Sequence, residues 1–449
     1  MKKNILLIFL ATIISLYSVS TAWAETEQTI KNNEDTLELN SDAAILMDAT
    51  TGEILYEKNS DKKEYPASIT KIMTALLAFE SDKMEETITF SHDAIFGIEP
   101  GSSHIALQEG EQITMEQAMY ALLLRSANEA ALGIAEQVDG SVEKFATHMT
   151  ERAKELGCKN TNFINPNGLH DENHYTTAYD MALIAKEALK FEDFKNIIQT
   201  TYYEIPPTNQ QEEARYLYGQ HQMIKPPSIY VYEGCEGGKT GFTDEAQNTL
   251  VTYAKRDNTE LIAVVFQCKG AQHYEDTIQL FDYGFSHFKT VKLSSTSEVS
   301  QIVSVVNEKG EKIDSVLAKL KEDVYQTVPI DFEISKITKK INAPETISAP
   351  VYEDDMVASV SFYYEGKPIT TMELFADHAV SLEENVVTAS MQNDKKIDST
   401  NNFSSFYTIF SIFIFAVICS IISFFVALII CRFISWRRRK RRRLARRRK

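Results

Sequence analysis

The sequence predicts an α/β or α+β body, one β-sheet flanked by helices, followed by a small β-rich domain and one transmembrane helix. Three observations carry this. Strand-like runs stand near both ends of the first 290 residues with helical runs between them. Short β-branched runs such as Glu298–Val306, Tyr325–Pro329 and Met356–Tyr364 replace that pattern from about Val291 to Val380. Beyond them, Phe406–Cys431 is a stretch of 26 residues without a charge, long enough to span a bilayer.

Taken in order, Met1–Ala24 has two early lysines, an uncharged apolar run from Ile5 and a small-residue site at Ala22-Trp23-Ala24. That is the pattern of a cleavable secretory signal. Residues 25–40 are polar and read as a flexible lead-in. Ala43–Asp48 and Glu53–Glu57 read as a hairpin across Ala49–Gly52. Pro66 then opens a helix to about Phe79, with Ile69, Ile72, Met73, Leu76 and Leu77 at helical spacing. Short strands and loops are expected over 87–113. Helices are expected over Met115–Leu124, Glu129–Val138, Val142–Leu156 and Asp180–Ala188, with a Gly/Asn/Pro-rich loop at Asn160–Tyr175. After a proline-rich irregular stretch, Gly237–Gly241, Gln247–Ala254 and Glu260–Gln267 read as strands and Glu275–Phe288 as a closing helix. The expected division is a signal at 1–24, a lead-in at 25–40, a first domain at 41–290 and a β-rich domain at 291–382. A linker at 383–405, a span at 406–434 and a basic tail at 435–449 complete it.

Charge agrees with that division. Twelve of the eighteen residues from Arg432 to Lys449 are basic, and basic residues flank spans on the cytoplasmic side. Taking these and Lys2 and Lys3 away from the net charge of −17 leaves residues 25–405 at −31. So acidic a body argues against nucleic acid as a partner. Next to a span, the basic tail reads as an attraction to anionic lipid headgroups. The expected location is the cell membrane, with the body outside and the tail inside. Cys158, Cys235 and Cys268 lie outside the span, an odd number without metal-ligand spacing, so no disulfide scaffold is expected.

Three short motifs carry chemistry. Ser68 stands in the first turn of the early helix, where free N–H groups favour developing negative charge, and Lys71 lies three residues on along the same face. An amine beside a hydroxyl at a helix start is the layout of a lysine-activated serine nucleophile. Ser60/Lys63, Ser141/Lys144 and Ser286/Lys289 share the spacing, so the pattern alone does not select Ser68. Ser126-Ala127-Asn128 falls where two helices meet and can turn a hydroxyl and an amide into a cleft; its ordinary reading is a polar helix–helix turn. Lys239-Thr240-Gly241 opens a strand, where a cation and a hydroxyl suit a carboxylate and the glycine admits close approach. Its ordinary reading is a strand end with a glycine kink. His170 and His174 are four apart, but their only intervening glutamate, Glu172, is misplaced for a zinc helix motif and the segment is a loop.

The ordered set resembles the serine penicillin-binding protein and β-lactamase superfamily. Asp48-Ala-Thr-Thr-Gly52, Tyr65–Thr74, Ser126-Ala-Asn128-Glu-Ala, Asn162–Leu169 and Lys239–Thr243 narrow it to the low-molecular-mass D-alanyl-D-alanine carboxypeptidases, over roughly residues 41–380. The resemblance implies that Ser68 attacks the bond between the two terminal D-alanines of a peptidoglycan stem peptide, with Lys71 as its base. It implies that Ser126 relays protons and Asn128 holds the substrate amide. Lys239, Thr240 and Gly241 would hold the substrate carboxylate, and the backbone N–H groups of Ser68 and Phe242 would form the oxyanion hole. It implies no metal or other cofactor, and covalent inhibition by β-lactams at Ser68. Three departures stand out: Ala127 in place of a common glycine, no apolar residue just before Lys239, and His273 where relatives carry an arginine ahead of the closing helix. Other readings of the same site are a peptidoglycan endopeptidase, a β-lactamase and a wall-binding pseudoenzyme.

Overall fold

The computed structural model describes residues 37–381. The signal, the linker, the apolar run and the basic tail lie outside the described residues. Among the described residues no helix is long and apolar enough to cross a membrane.

The chain first makes the hairpin β1 (Ala43–Asp48) and β2 (Ile54–Lys58), then a 3₁₀ turn at Ala67–Thr70 that runs into α1 (Lys71–Glu80). Next come β3 (Thr87–Thr89), α2 (His92–Phe96), β4 (Gln112–Thr114), α3 (Met115–Leu124), α4 (Asn128–Asp139), α5 (Val142–Glu155), α6 (Ala178–Ala188) and α7 (Glu192–Gln199). The hairpin β5 (Tyr202–Ile205) and β6 (Arg215–Tyr218) leads to β7 (Cys235–Thr243), β8 (Gln247–Arg256), β9 (Thr259–Cys268) and α8 (Gln272–His287). Five strands form an antiparallel sheet in the order β2-β1-β9-β8-β7, so the first and last strands of the domain meet in its middle and β7 is an edge.

Both faces of this sheet are covered, which is why its central strands read as unbroken apolar runs. On β9, Ile262, Val264 and Phe266 join the core shared with α1, α3, α4 and α6. Leu261, Ala263 and Val265 point the other way and pack with Leu280 and Phe281 of α8. Helix α1 is buried from Lys71 to Phe79, an apolar rod threaded through the larger core. α3 is started by a side-chain cap, Thr114 and Gln117 forming a reciprocal capping box.

Four readings of the sequence shift. α7 was not expected, since its eight residues bury only Phe194, Ile197 and Ile198. The closing helix begins at Gln272, three residues early, which puts His273 inside its first turn instead of ahead of it. The lead-in ends sooner than residue 40: Leu39 is buried, and Asp276 accepts hydrogen bonds from Asn40 Nδ2 and Ser41 N. β10 begins at Phe288, directly after α8, so the boundary at 290 falls within a strand.

The remaining strands are β10 (Phe288–Ser294), β11 (Ser300–Val306), β12 (Lys312–Lys319), β13 (Val324–Pro329), β14 (Ile337–Asn342), β15 (Thr346–Ser348), β16 (Met356–Tyr364) and β17 (Lys367–Ala376). Six form a sheet in the order β14-β16-β17-β12-β11-β15, while β10 pairs with β13. Their core is separate, built on Val303, Val316, Val360, Phe362 and Leu374. The fully buried Asp48 ties this part to the first sheet. Its Oδ1 accepts from Thr50 N and Thr51 N, and its Oδ2 accepts from Thr290 Oγ1 and Thr327 Oγ1. Asp48→Ala strands four donors at once, two of them from the β10–β13 pair. We expect it to lower unfolding free energy by about 3 kcal/mol, read as an earlier midpoint in chemical denaturation.

Candidate active site

Ser68 is held by the turn before α1. Ala67, the residue before Ser68, takes a positive φ of 50°, uncommon for a residue with a Cβ. Two partners brace that turn from outside: Thr249 Oγ1 of β8 donates to Pro66 O at 2.8 Å, and Thr70 Oγ1 lies 2.9 Å from His174 Nε2. His174 Nδ1 accepts from Ile164 N, so its proton stands on Nε2 and points at Thr70. Burial pushes its pKa down to about 3 and keeps it neutral. The histidine weighed as a zinc ligand is a brace for the serine's turn.

Geometry separates the four Ser-Lys pairs. Lys71 Nζ lies 3.1 Å from Ser68 Oγ. Ser141 Oγ instead caps α5 by accepting from Lys144 N. Ser60 Oγ donates to Glu57, and Ser286 Oγ donates to the carbonyl of Asp282. Only the first pair joins hydroxyl to amine.

Lys71 is fully buried and has two further partners, Asn128 Oδ1 at 2.7 Å and Asn167 O at 2.5 Å. Burial holds its pKa well below the usual lysine range, with the nearby Lys239 adding to the effect and Glu129 opposing it. A neutral amine has two hydrogens and one lone pair. Two carbonyl oxygens take the hydrogens, and the lone pair is left for the Ser68 hydroxyl. That is the state a general base needs.

The other two motifs close around this pair. Ser126, between α3 and α4, has a φ of 58°, and its buried Oγ has no hydrogen-bond partner among the described residues. A strained residue with an idle hydroxyl is a recurring mark of functional sites. Ala127 turns its methyl into the large core, so it takes no space from the cleft. Asn128 N donates to Ser103 O, and Glu129 Oε1 accepts from Ile105 N at 2.7 Å. These two bonds fasten the 103–107 loop beside the site.

Along β7, Lys239 is buried, with Nζ donating to Thr240 O at 2.6 Å, and burial pushes its pKa down to about 7. Gly238 has a φ of 152°, and a Cβ there would meet Val251 O at 2.0 Å. The missing apolar residue before Lys239 thus follows from a backbone that only glycine fits. Gly237 likewise abuts Ile198 O, so α7 covers the first part of the strand and leaves Lys239–Thr243 as an open edge beside Ser68. A Cβ on Gly241 would lie 2.4 Å from Thr249 Oγ1 and 2.9 Å from Ser68 N. Gly241→Ala is therefore expected to push β7 off the serine turn and slow acylation about a hundredfold, measured by stopped-flow labelling. Phe242 presents a half-exposed ring at the mouth of the cleft.

His273 is not tied to this cluster. It is buried at the start of α8, and its Nδ1 bonds Gly270 O at 3.1 Å. His221 is buried within the field of both His273 and Lys239; burial first, and then those two neighbours, push its pKa down to about 3. Sequence reasoning missed His221, Glu129 and the carbonyl of Asn167, and it weighed His174 only as a metal ligand. A carbonyl leaves no trace in residue type, and lone buried histidines look like any others.

Two family models match the chain. One, described as D-alanyl-D-alanine carboxypeptidase, covers residues 27–270, and one described as penicillin-binding protein 5, C-terminal domain, covers 288–382. The chain is 33% identical over 357 residues to the D-alanyl-D-alanine carboxypeptidase DacF of Bacillus subtilis (strain 168), covering 77% of this chain and 85% of that one. It is 29% identical to DacA of Escherichia coli (strain K12), over 74% of this chain and 81% of that one. Among solved structures, penicillin binding protein 5 from Haemophilus influenzae superposes with a TM-score of 0.65 at 26% identity, covering 77% of this chain and 98% of that one.

Proposed function

The chain belongs to the D-alanyl-D-alanine carboxypeptidase family, and on that premise we propose how its own residues remove the terminal D-alanine of a peptidoglycan stem pentapeptide. The observation that carries the proposal is the buried, doubly anchored Lys71 amine 3.1 Å from Ser68 Oγ, its pKa lowered by burial.

The substrate peptide lies along the open edge of β7, as an added strand, with its terminal carboxylate towards Lys239 and Thr240. Lys71 takes the Ser68 proton as Oγ bonds to the carbonyl carbon between the two D-alanines. The backbone N–H groups of Ser68 and Phe242 receive the oxyanion. The C–N bond then breaks, and the proton passes from Lys71, with Ser126 as relay, to the departing amine. Asn128 fixes both Lys71 and the substrate amide. Water resolves the acyl-enzyme. A β-lactam opens on Ser68 in the same way and stays. No step calls for a metal or other cofactor. His273, whose Nδ1 bonds Gly270 O at the start of α8, is given no step.

The two amines divide the work by titration. Lys239 must carry its proton to hold a carboxylate, and Lys71 must lack one to accept from serine. The ammonium of Lys239 helps keep Lys71 neutral, so their charges are pushed apart. The sign is fixed: falling pH protonates Lys71 and stops acylation, and rising pH past about 7 discharges free Lys239 and weakens carboxylate capture. We expect a bell-shaped kcat/KM against pH, whose alkaline limb flattens in Lys239→Arg.

The deciding assay incubates full-length protein with a pentapeptide ending in D-Ala-D-Ala and measures free D-alanine. Release supports the reading. Intact penicillin labelling without release would make the chain a wall-binding pseudoenzyme. Two grounds for that alternative are already weak, since Ala127 faces the core and Gly238 is set by its backbone.

We further propose that residues 1–24 export the chain and that 406–434 hold it in the membrane, with the catalytic domain facing the wall and the tail of 435–449 inside. The uncharged 26-residue run and the twelve basic residues after it support this. A chain truncated after residue 405 should leave the membrane fraction.

A further inference from the structure

The β5–β6 hairpin has a face that the proposed chemistry does not use. Alternation turns Ile205 and Leu217 inward, and Tyr203 stacks on Tyr120 of α3 with ring centroids 3.7 Å apart. The opposite face carries Tyr202, Tyr216 and Tyr218, exposed by 45%, 57% and 52%. Tyr202 and Tyr218 are cross-strand partners with centroids 5.3 Å apart. Tyr202 and Tyr216 lie nearly parallel, at 6.2 Å and 15°. Three large rings grouped in water are a surface that calls for an occupant. Glu204 Oε2 accepts from Tyr202 OH, and Lys225 Nζ stands 5.8 Å over the Tyr218 ring. The result is an aromatic platform of two near-parallel rings and a third, Tyr218, tilted by 50° to Tyr202, edged by one carboxylate and one amine.

Its position is specific. Arg125, the residue before Ser126, donates from Nη1 to Tyr218 O at 3.3 Å. From Tyr218 the chain passes through Gly219 and Gln220 to His221, beside Lys239. The platform is continuous with the rim of the cleft.

We propose that this tyrosine face binds sugar rings of the glycan strand whose peptide is being trimmed. The inference rests on the reading that the substrate is a peptidoglycan peptide, because that peptide is covalently joined to a polysaccharide. Pyranose rings offer an apolar C–H face that stacks on an aromatic ring, while their rim hydroxyls pair with a carboxylate and an amine at the edge. The phenols suit this, with an apolar body and a polar tip. No aliphatic side chain lies on the outward face of the two strands, unlike the mixed apolar centre of a protein–protein interface.

The test compares full-length wild type with two variants, Tyr202→Ser/Tyr216→Ser/Tyr218→Ser and Tyr202→Phe/Tyr216→Phe/Tyr218→Phe. Each is assayed on a soluble pentapeptide, on pentapeptide-bearing glycan strands, and for retention on immobilised peptide-free glycan strands. The serine variant should keep penicillin labelling and pentapeptide turnover. It should lose about tenfold in kcat/KM on the strand-borne peptide, the effect of roughly 1.4 kcal/mol, and lose retention. The phenylalanine variant should keep most of both. The same ratio of strand to peptide turnover in all three proteins, or undiminished retention of the serine variant, overturns the proposal. Loss in the phenylalanine variant as large as in the serine variant overturns ring stacking as its basis. Failure of wild type to release D-alanine from the soluble pentapeptide would count against the carboxypeptidase reading, while the retention arm still decides whether the platform binds glycan.

Discussion

Ser68→Ala abolishes covalent labelling by a fluorescent penicillin and lowers D-alanine release on the order of ten-thousandfold or more, the loss seen when a serine hydrolase loses its nucleophile. The change removes one oxygen at the surface of the cleft and leaves the turn intact. Ala67, Thr249 and His174 brace that turn independently of the hydroxyl. Far-ultraviolet circular dichroism and the denaturation midpoint should therefore stay at wild-type values. The three other Ser-Lys pairs serve as internal controls: Ser141→Ala removes a helix cap and costs about 1 kcal/mol of stability, with labelling unchanged. Labelling that survives in Ser68→Ala would place the nucleophile elsewhere.

Lys71→Arg is the second large effect. It keeps a cation in the site but cannot accept a proton, because guanidinium stays charged at every accessible pH. The expected result is a fall in acylation on the order of a thousandfold that is not recovered by raising the pH. Lys71→Gln separates base from packing, since its carboxamide is smaller and uncharged. If both variants lose acylation alike while wild type shows an acid limb that both lack, Lys71 is the base. An arginine variant that still acylates with a wild-type pH profile would exclude that role. Glu129→Gln offers a finer check. Its amide oxygen can still accept from Ile105 N, but the charge that opposes the depression of Lys71 is gone, so the acid limb should move to lower pH.

The sequence was most legible where one physical rule dominates. β1 and α3 span the residues expected of them, Ala43–Asp48 as a short apolar run and Met115–Leu124 as a helical pattern. The three motifs, scattered over more than 170 residues, meet at Lys71, which bonds Ser68 and Asn128 directly and lies in the field of Lys239. What could not be read belongs to contacts between distant backbones. Asn167 matters through its carbonyl, which any residue possesses. Gly238 looks like a departure until the approach of Val251 O shows why no side chain fits. His273 was misplaced because helix starts are set by local hydrogen bonding that the sequence marks only loosely, and Ala271 provides no side-chain cap. The short α7 buries too few residues to announce itself, yet its Ile198 carbonyl lies against Gly237 at the start of β7.

That last element bears on how a polymer would be held. The carbonyl of Ile198 lies against Gly237, and Ile198 lines one small cavity together with Gly219, His221, Gly238 and Thr240. In the proposed pose, with the terminal carboxylate towards Lys239 and Thr240, α7 stands just beyond the last alanine. A peptide that ended there would fit, and a chain that ran on would meet a helix, so cross-linked dimers are expected to turn over more slowly than free pentapeptide when both are assayed side by side.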